Sequence, residues 1–598
     1  MQRIIHWLEE GQGRRFVIAA GVCIGIVFFS LYLSYKRYRG PDAEAIFEQA
    51  LVAKSLAEGA GFSTPVRYPQ AVAVLEANEV WSFEQDALSP ELYQAPLYSI
   101  VLAGGLKVLP ESLTAWLWEA PDFFAYHADF YLLAINLLLF WTSCGLLWVL
   151  AFRLFNRRTA WVSLAAYFFS VSVWEGVLGV SGLPLLSTLI LALILVLQSL
   201  ETLRLKGISA HLKWFAVLSL SAGLISGLLF LSDYTAALLL IPALIYFVIK
   251  LHGTQRWIAP LLLLVGFLIV SMPWMARNIA LTGSPVGLAW QEIGLRSGDP
   301  TASPREIRTR LDNEAPAVSL RKAVNKGLNG IKETLREGVW SGGALLFAGF
   351  FFASFFYRFK ITSTNNVRWL ATGVIAMLLL GQPFLDDGEG LRLPAAYLTP
   401  LIILFGAGFF LILLESTAQR TQLERLGLIV ILLLVQALPL SHLVLEPSRG
   451  AYYAYPPYSP RLMHLMKAGL KDKFFPNFGL MADVPAGVAW YSQEPVWAQP
   501  EQYRDMDGIL AYQPIGALYL SPEVLDRPFF GELLQEGGKR SWDDPRRNFS
   551  WGAVYATLPS GQVPSFFPLQ KSLRIWDNTF VLMDVRALAP VLNESAEN

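Results

Sequence analysis

The sequence is poor in charge and nearly free of cysteine. Of its 598 residues only 16% are charged, whereas an ordinary soluble domain carries about 25% charged residues. Hydrophobic residues reach 54% and the mean hydropathy is +0.43. A string of soluble domains, a disordered chain, a coiled coil and a collagen are therefore excluded. The natural solvent for most of this chain is lipid.

The chain also lacks net charge, because 47 Lys and Arg balance 47 Asp and Glu. A nucleic-acid partner is excluded, since it would require a basic excess. Cys23 and Cys144 both lie in apolar runs, so neither a disulfide framework nor a thiolate metal cluster is expected. The sequence has no P-loop, no G-x-G-x-x-G, no H-E-x-x-H and no G-x-S-x-G, which argues against nucleotide chemistry.

Long apolar runs predict eleven membrane spans. The first, 16–34, is long for a signal peptide and has no cleavage site after it, so it is interpreted as a retained helix. The other ten predicted spans are 130–152, 159–177, 181–200, 214–232, 234–249, 257–275, 341–357, 367–383, 393–414 and 426–445.

Two apolar blocks are too long for one helix, and each holds a single acid near its middle. These acids are Glu175 in 159–200 and Asp233 in 214–249. We expect both at tight turns on a membrane face. Acids at such depth are costly and are functional candidates, although either could simply face water.

Basic residues in alternate short loops predict the orientation. Arg153 to Arg158, Arg204 to Lys213, Lys250 to Arg256 and Arg358 to Arg368 belong to one set, whereas the turns near 178–182 and 233 carry none. The basic set is predicted to be cytoplasmic, together with the N-terminus. Eleven spans then place the C-terminal region on the periplasmic or extracellular side.

The predicted fold is mainly α: a polytopic membrane helix bundle with a small C-terminal α/β domain outside the membrane. Residues 1–445 form the membrane domain, with outer loops 35–129 and 276–340. Residues 446–598 form the α/β domain, because their Pro-, Tyr- and Trp-rich sequence alternates short strand patterns with helix starts and turns.

The first outer loop carries Asp42 and Glu44 just beyond the first helix. Residues 43–57 are amphipathic at helical period, end at Gly59 and Gly61, and are expected to lie on the membrane surface. An acid held there could deprotonate an acceptor or hold a divalent cation. Alternatively, Asp42 is a helix N-cap and Glu44 a first-turn acid.

Later polar residues offer binding candidates. Arg277 and Asn278 follow Pro273-Trp274 at the end of an apolar helix. Arg277 would lie at headgroup depth, where its guanidinium could bind a phosphate bidentately. Alternatively, Arg277 is a flanking residue whose side chain snorkels to the membrane surface. Tyr98, in the short apolar run 95–109, could line a pocket or simply pack. A further acidic loop could bind a cation or an amino sugar, or be a solvated turn; its residues are Asp386, Asp387, Glu389 and Arg392.

Several stretches, in order, resemble the GT-C superfamily of multi-pass glycosyltransferases, near the protein mannosyltransferase, aminoarabinose transferase and rhizobial lipopolysaccharide-core transferase group. The resemblance covers about residues 16–415. It lies in D-A-E at 42–44 with LAEGAGFSTP, QAPLYSIVLAG, GLLFLSDYTAALLLIP, MPWMARNIALTGSPVG and RLPAAYLTPLIILFGAGFFLIL. Ala95 replaces a usual Pro, and Asp233 stands where relatives often have Arg.

The resemblance implies an activity in the inner membrane of a bacterium. A polyprenyl-phosphate sugar would enter from the outer leaflet, and its sugar would pass to an envelope acceptor, whether lipid, glycan or protein. Asp42 would act as general base or help hold a divalent cation. Arginines at the outer face would hold the lipid phosphate.

One departure keeps rival functions open. Many relatives carry a second acid where this chain reads GVSGLPLL, and Glu175 lies about two helical turns too early. Glu175 substitutes from another position, or one acid suffices, or activity is lost. The alternatives are therefore a transporter or flippase for a lipid-linked glycan and a catalytically inactive membrane scaffold.

Overall fold

The fold was analysed in a computed structural model of the chain. Residues whose structure is described are 12–85, 87–121, 126–207, 211–298, 308–311, 319–335, 344–385, 393–416, 421–445, 458–467, 478–500, 505–522, 551–565, 567–576 and 579–584. The acidic loop 386–392, with Asp387, Glu389 and Arg392, lies outside these residues.

Long apolar helices dominate the described chain, as predicted. Eight of them are long and apolar enough to cross a membrane: Phe16–Arg37, His127–Leu154, Leu183–Lys206, Leu212–Ser232, Gln255–Thr282, Thr362–Leu385, Leu398–Ser416 and Gln422–Leu445. The last two spans of the chain thus match the predicted 393–414 and 426–445.

The remaining predicted spans are helical but irregular, so within the described residues fewer than eleven helices are long enough to cross a membrane. The span 159–177 is a pair, Arg157–Phe168 and Val171–Leu178, bent by 55°. The spans 234–249 and 341–357 are the shorter apolar helices Tyr234–Lys250 and Leu346–Phe356. The first of these begins as a 3₁₀ turn at Tyr234–Leu239, which local capping by Asp233 favours. The described chain therefore has eight candidate spans, or nine with the bent pair.

Small residues let two membrane helices, Leu212–Ser232 and Gln255–Thr282, approach closely. A Cβ added to Gly223 would lie 2.1 Å from the Leu263 carbonyl oxygen, and one added to Gly266 would lie 2.5 Å from that of Leu220. Close backbone approach at small residues is a common basis of helix packing in lipid. The second helix ends at Gly283, whose φ of +76° suits glycine alone.

The two predicted sets of loops separate to opposite ends of the bundle. Residues 155–156, 357, 359–361 and 415–416, which flank loops of the basic set, line one cavity of about 380 Å³. Residues 181–183 and 232–235, from the uncharged turns, line another cavity together with residues of both outer loops. The sorting agrees with the predicted topology, while the assignment of the basic end to the cytoplasm stays a prediction.

The outer segments contain further short helices. They are Glu44–Ala57, Pro69–Ala77, Leu97–Val108, Glu111–Leu117, Ala289–Gly298, Leu320–Thr334, Pro460–Leu465, Pro485–Ser492, Met506–Tyr512 and Trp551–Thr557. Glu44–Ala57, hereafter the first-loop helix, has the predicted bounds. Its apolar face does not lie on a membrane surface, because Ile46, Phe47 and Ala50 are buried against other parts of the chain.

A six-stranded sheet forms the core of the C-terminal region, which confirms the predicted α/β character. The described residues contain eight strands, six of them in this sheet: β1 Ser63–Thr64, β2 Val66–Arg67, β3 Ser89–Pro90, β4 Gly479–Ala482, β5 Val496–Ala498, β6 Ile515–Leu520, β7 Lys571–Trp576 and β8 Thr579–Met583. The sheet order is β2-β5-β4-β6-β8-β7, and β1 pairs with β3 separately. Strands β4, β5 and β6 are buried on both faces, as parallel strands usually are.

The first outer loop supplies an edge strand to this sheet. Val66 and Arg67 of β2 pair in parallel with Val496 and Trp497 of β5. Arg67 is buried, and its guanidinium donates to Gln513 Oε1 at 2.7 Å. The loop 35–129 and the region after 478 therefore share one core, although the proposed division at residue 445 separates them in sequence.

The close approach at Gly223 predicts a strong effect of one methyl group. Gly223→Ala should lower the free energy of unfolding by about 1–3 kcal/mol, the usual cost of overpacking. Thermal or denaturant unfolding of the protein in detergent micelles would measure it. Gly427→Ala is the matched control, because nothing lies within 4 Å of its added Cβ. Equal stability of the two variants would contradict the proposed packing.

Candidate functional site

A cavity of about 350 Å³ lies at the end of the bundle opposite the basic loops. It is bounded by the start of the first-loop helix, by the segment before Leu97–Val108 and by two turns between membrane helices. The polar side chains in its wall include Glu44, Gln49, Gln94, Asp233, Tyr234 and Gln382. Acids and amides thus converge on one space, where the membrane helices end.

Asp233 enters this cavity from a turn, as predicted. It follows the last residue of Leu212–Ser232, and its carboxylate accepts from the Thr235 backbone N–H at 2.7 Å and from Thr235 Oγ1 at 2.5 Å. A short acid at a helix start caps the free amides there. The sequence placed Asp233 on a membrane face, and its position in the cavity wall makes it a site residue.

Tyr234 links the same turn to the first outer loop. Its hydroxyl donates to the Gln94 carbonyl oxygen at 3.2 Å and accepts from Trp274 Nε1 at 2.9 Å. The membrane helix Gln255–Thr282 therefore supports the cavity wall through Trp274.

Glu44 lines the cavity from the first turn of the first-loop helix. Its two carboxylate oxygens accept from the backbone N–H groups of Ala486 and Gly487 at 2.8 and 3.1 Å. Burial raises the pKa of Glu44 to about 8, although these amide donors oppose the shift. The position of Glu44 agrees with the alternative that it is a first-turn acid of this helix. Its carboxylate also binds the C-terminal region to the first outer loop.

Asp42 is exposed and lies two residues before the first-loop helix begins. The N-cap position is held by Ala43, in extended backbone with φ −137°, so the alternative that Asp42 caps the helix is wrong. Ala43 lines the cavity, which places Asp42 beside the cavity rather than in its wall.

Arg277 and Asn278 lie behind the cavity. The Arg277 guanidinium donates to the carbonyl oxygens of Glu91 and Phe62, each at 3.0 Å. It also lies 4.6 Å from the centre of the Trp274 ring. Asn278 is buried and accepts from Arg277 at 3.1 Å. Arg277 therefore connects a membrane helix to the first outer loop, whereas Asn278 donates to the Pro285 carbonyl oxygen at 3.3 Å.

Two other predicted residues do not line the cavity. Tyr98 is buried, and its hydroxyl donates to Asn136 Oδ1 at 3.2 Å and to the Val180 carbonyl oxygen at 3.0 Å, so it packs the first outer loop against a membrane turn. Glu175 is exposed on Val171–Leu178, nearly two helical turns before the cavity residue Ser181. The structure thus brings together Glu44 and Asp233, but not Glu175.

A buried ion network next to the cavity was missed by sequence reasoning. Arg308, with a side chain only 4% exposed, donates to both oxygens of Glu48 at 2.8 and 3.0 Å. It also forms a salt bridge with Glu292. Gln94, a cavity residue, donates to Glu48 Oε2 at 3.0 Å. No local pattern predicts this network, because Arg308 lies 260 residues from Glu48.

Glu91 is a second acid near the cavity that the sequence did not single out, although its neighbours in sequence could have indicated a turn. Its carboxylate accepts from the backbone N–H groups of Tyr93 and Gln94 at 2.7 and 2.9 Å, two and three residues later. Such side-chain-to-backbone bonds fix turns. Burial raises the pKa of Glu91. Its role is to shape the segment that carries Gln94 into the cavity wall.

A divalent cation would need several oxygen or nitrogen ligands at one place. Within the described residues, no group of three or more His, Cys, Asp or Glu side chains could hold a metal ion. The described residues therefore do not bring such a group of ligands together at Asp42.

Comparison with known proteins finds structures of similar fold but no matching sequence family. No family model and no curated protein matches the chain. ArnT from Cupriavidus metallidurans, bound to undecaprenyl phosphate, is similar in structure with a TM-score of 0.56 and 11% identity, over 97% of this chain and 99% of that chain. The chain therefore shares the fold of this ArnT structure.

Two structures of the Archaeoglobus fulgidus oligosaccharyltransferase are similar as well. The complex with Zn and sulfate has a TM-score of 0.53 and 12% identity, over 86% of this chain and 70% of that chain. The complex with an inhibitory peptide and a dolichol-phosphate has a TM-score of 0.52 and 12% identity, over 86% and 71%. The GT-C resemblance inferred from the sequence motifs is thus confirmed at the level of fold.

The buried network predicts a large cost for losing its cation. Arg308→Met should lower the free energy of unfolding by about 3–5 kcal/mol, because two buried carboxylates lose their partner. Denaturant unfolding in detergent micelles would measure the loss. Arg158→Met is the control, since Arg158 forms only an exposed pair with Glu415 at 3.6 Å, of a kind that contributes about 0–1 kcal/mol. A loss at Arg308 no larger than at Arg158 would contradict the network.

Proposed function

We propose that this protein is a membrane glycosyltransferase that uses a polyprenyl-phosphate sugar as donor. The observation that supports this most is the cavity with Glu44, Asp233 and Gln94 at the end of a GT-C bundle opposite the basic loops. Carboxylates and amides bind sugar hydroxyls, and carboxylates can also accept a proton. In this proposal the cavity opens at the membrane surface, where a lipid phosphate would present its sugar.

The structural neighbours support the choice of donor. ArnT was solved with undecaprenyl phosphate, and the archaeal oligosaccharyltransferase with a dolichol-phosphate. Both ligands are isoprenoid phosphates. A donor in which such a phosphate carries a sugar fits a chain whose fold places a polar cavity at the ends of membrane-spanning helices.

The proposed reaction is an inverting displacement at the anomeric carbon. An acceptor hydroxyl oxygen attacks this carbon and forms the new glycosidic bond. The bond between the anomeric carbon and the phosphate oxygen breaks, and polyprenyl phosphate leaves with the electron pair. The acceptor proton passes to a carboxylate. Since the chemistry is a single displacement, the protein contributes positioning and charge stabilisation.

Asp42 is the carboxylate that we assign as general base. It is exposed, and it lies beside the cavity residues Ala43 and Glu44. Glu44 is less suited, because both of its oxygens already accept backbone N–H groups. Asp233, whose carboxylate caps a turn, is suited to binding sugar hydroxyls.

Arg277 is the described cation that we assign to the donor phosphate. Its guanidinium stacks on Trp274, which in turn bonds the cavity residue Tyr234. In this position Arg277 would stabilise the negative charge that develops on the donor phosphate as its bond to the anomeric carbon breaks. A divalent cation remains compatible with the Zn complex of one neighbour. The described residues do not assemble its ligands, and no step above uses it.

The cellular setting follows the sequence prediction. We propose a bacterial inner membrane, with the cavity and the C-terminal region on the periplasmic or extracellular side and the N-terminus in the cytoplasm. The acceptor would be an envelope molecule, whether lipid, glycan or protein.

The proposed base predicts the result of one substitution. Asp42→Asn should lower the rate of sugar transfer by about 10²–10⁴-fold, the usual contribution of a general base. Purified protein in lipid vesicles would receive radiolabelled polyprenyl-phosphate sugars and an envelope extract as acceptor. Asp507→Asn is the control, because Asp507 is exposed on a helix of the C-terminal region.

The outcomes separate the rival functions. Transfer by the wild type and by Asp507→Asn, but not by Asp42→Asn, supports the enzyme and its base. Equal transfer by all three removes Asp42 from the reaction. If a folded wild type transfers no label from any donor, the enzyme proposal fails in favour of a lipid-linked glycan transporter or an inactive scaffold.

A further inference from the structure

The segment 38–44, between the first membrane helix and the first-loop helix, is attached to one short helix of the C-terminal region, through Asp129 near its start and directly through Glu44 at its end. This helix is Pro485–Ser492, hereafter the docking helix. We propose that Asp129, Trp490 and Tyr491 are positioning residues that fix Asp42 beside the cavity. The inference rests on the proposed function, in which Asp42 is the general base.

A buried carboxylate forms the first attachment. Asp129 is 2% exposed, and its two oxygens accept from Trp490 Nε1 at 2.9 Å and from the Tyr491 hydroxyl at 3.0 Å. The Tyr38 hydroxyl donates to the Asp129 backbone carbonyl oxygen at 2.7 Å. One residue thus joins the end of the first membrane helix, the start of His127–Leu154 and the docking helix.

Gly40 brings the backbone of the segment onto the same group. Its φ is +84°, and an added Cβ would lie 3.2 Å from Asp129 Oδ2 and 3.5 Å from the Tyr491 hydroxyl oxygen. Only glycine combines this backbone conformation with this approach at no steric cost. The contact fixes the chain two residues before Asp42.

Glu44 forms the second attachment, two residues after Asp42. Its carboxylate accepts the Ala486 and Gly487 N–H groups in the first turn of the docking helix, where the helix dipole favours an acid. Asp42 therefore lies between two attachments, and both lead to the same eight-residue helix. Asp42 itself is exposed, so an acceptor can reach its carboxylate.

Aromatic packing keeps water away from both attachments. Phe47 of the first-loop helix lies with its ring centre 5.5 Å from Tyr491 and 4.8 Å from Tyr458. Tyr126 lies 5.5 Å from Tyr491. Hydrogen bonds in such a low-dielectric setting are stronger than in water. The segment should therefore be rigid in the folded protein.

Tyr491→Phe tests the proposal, because it removes one hydrogen bond to Asp129 and keeps the ring. We expect kcat for sugar transfer to fall about tenfold, with KM for the donor within about twofold of wild type, as when only transition-state positioning is lost. Tyr555→Phe is the control, since Tyr555 lies in a separate apolar cluster of the C-terminal region. A kcat equal to that of the control would overturn the proposal.

A double-mutant cycle distinguishes positioning from general destabilisation. If Tyr491 acts through Asp42, then Tyr491→Phe should reduce residual transfer no further in an Asp42→Asn background. A further tenfold loss in that background would show that Tyr491 acts independently of Asp42.

Hydrogen exchange keeps the test separate from the enzyme proposal. The backbone amides of 38–44 should exchange at least about tenfold faster in Tyr491→Phe than in wild type, since local opening controls their protection. Gly40→Ala should give the same result if Tyr491→Phe does not fold. Unchanged exchange in a folded variant contradicts the attachment, even if no donor is ever transferred. If the amides of Tyr491→Phe exchange faster but the wild-type protein transfers no sugar, the attachment stands and only the proposed function is contradicted.

Discussion

The Asp129 carboxylate, with Trp490 and Tyr491 as its donors, is the interaction on which the arrangement of the outer parts depends. A buried carboxylate without partners costs several kcal/mol. Its two donors come from a helix more than 350 residues away along the chain, so the C-terminal region must pack onto the start of His127–Leu154. With this contact in place, strand β2 of the first outer loop joins β5 of the sheet, and the loop and the C-terminal region form one body.

Polar groups are concentrated at the two ends of the bundle, and each end uses them differently. At the end with the basic loops, Glu201 is fully buried and satisfied by Arg204 at 2.8 Å and by Asn366 at 2.6 Å. The ion pair itself lies within one helix, and Asn366 joins Glu201 to the helix Thr362–Leu385. At the other end, Glu44, Asp233 and Gln94 face a cavity. A cavity rich in polar side chains can serve a sugar reaction, whereas a closed ion pair serves stability.

The membrane part was largely predictable, because periodicity and loop charge are local signals. Every predicted span lies on a helix, and the turn acid Asp233 lies where a break in apolar sequence placed it. The number of full-length spans was overestimated, since apolar length does not report the bend after Phe168 or the 3₁₀ turn after Asp233. The strands of the C-terminal region were also visible as short alternating runs between turns.

The site was less predictable, because its contacts join distant parts of the chain. Glu44 was recognised as a candidate, yet its partners at Ala486 and Gly487 were not. The apolar face of the first-loop helix resembled a membrane-surface helix, and the sequence could not tell that Tyr458 and Tyr491 cover it instead. Arg308 and Glu48 carried no local signal at all. Motif order predicted the fold, whereas tertiary contacts decide the site.

The central claim is that the cavity beside Asp42 receives a polyprenyl phosphate. The most direct measurement is a cryo-electron microscopy structure of the protein in lipid nanodiscs with added undecaprenyl phosphate. We expect density for the phosphate at the cavity bounded by Glu44, Asp233 and Gln382. Density for the phosphate at the opposite end, near Lys250 and Arg204, or an empty cavity at saturating lipid would contradict it.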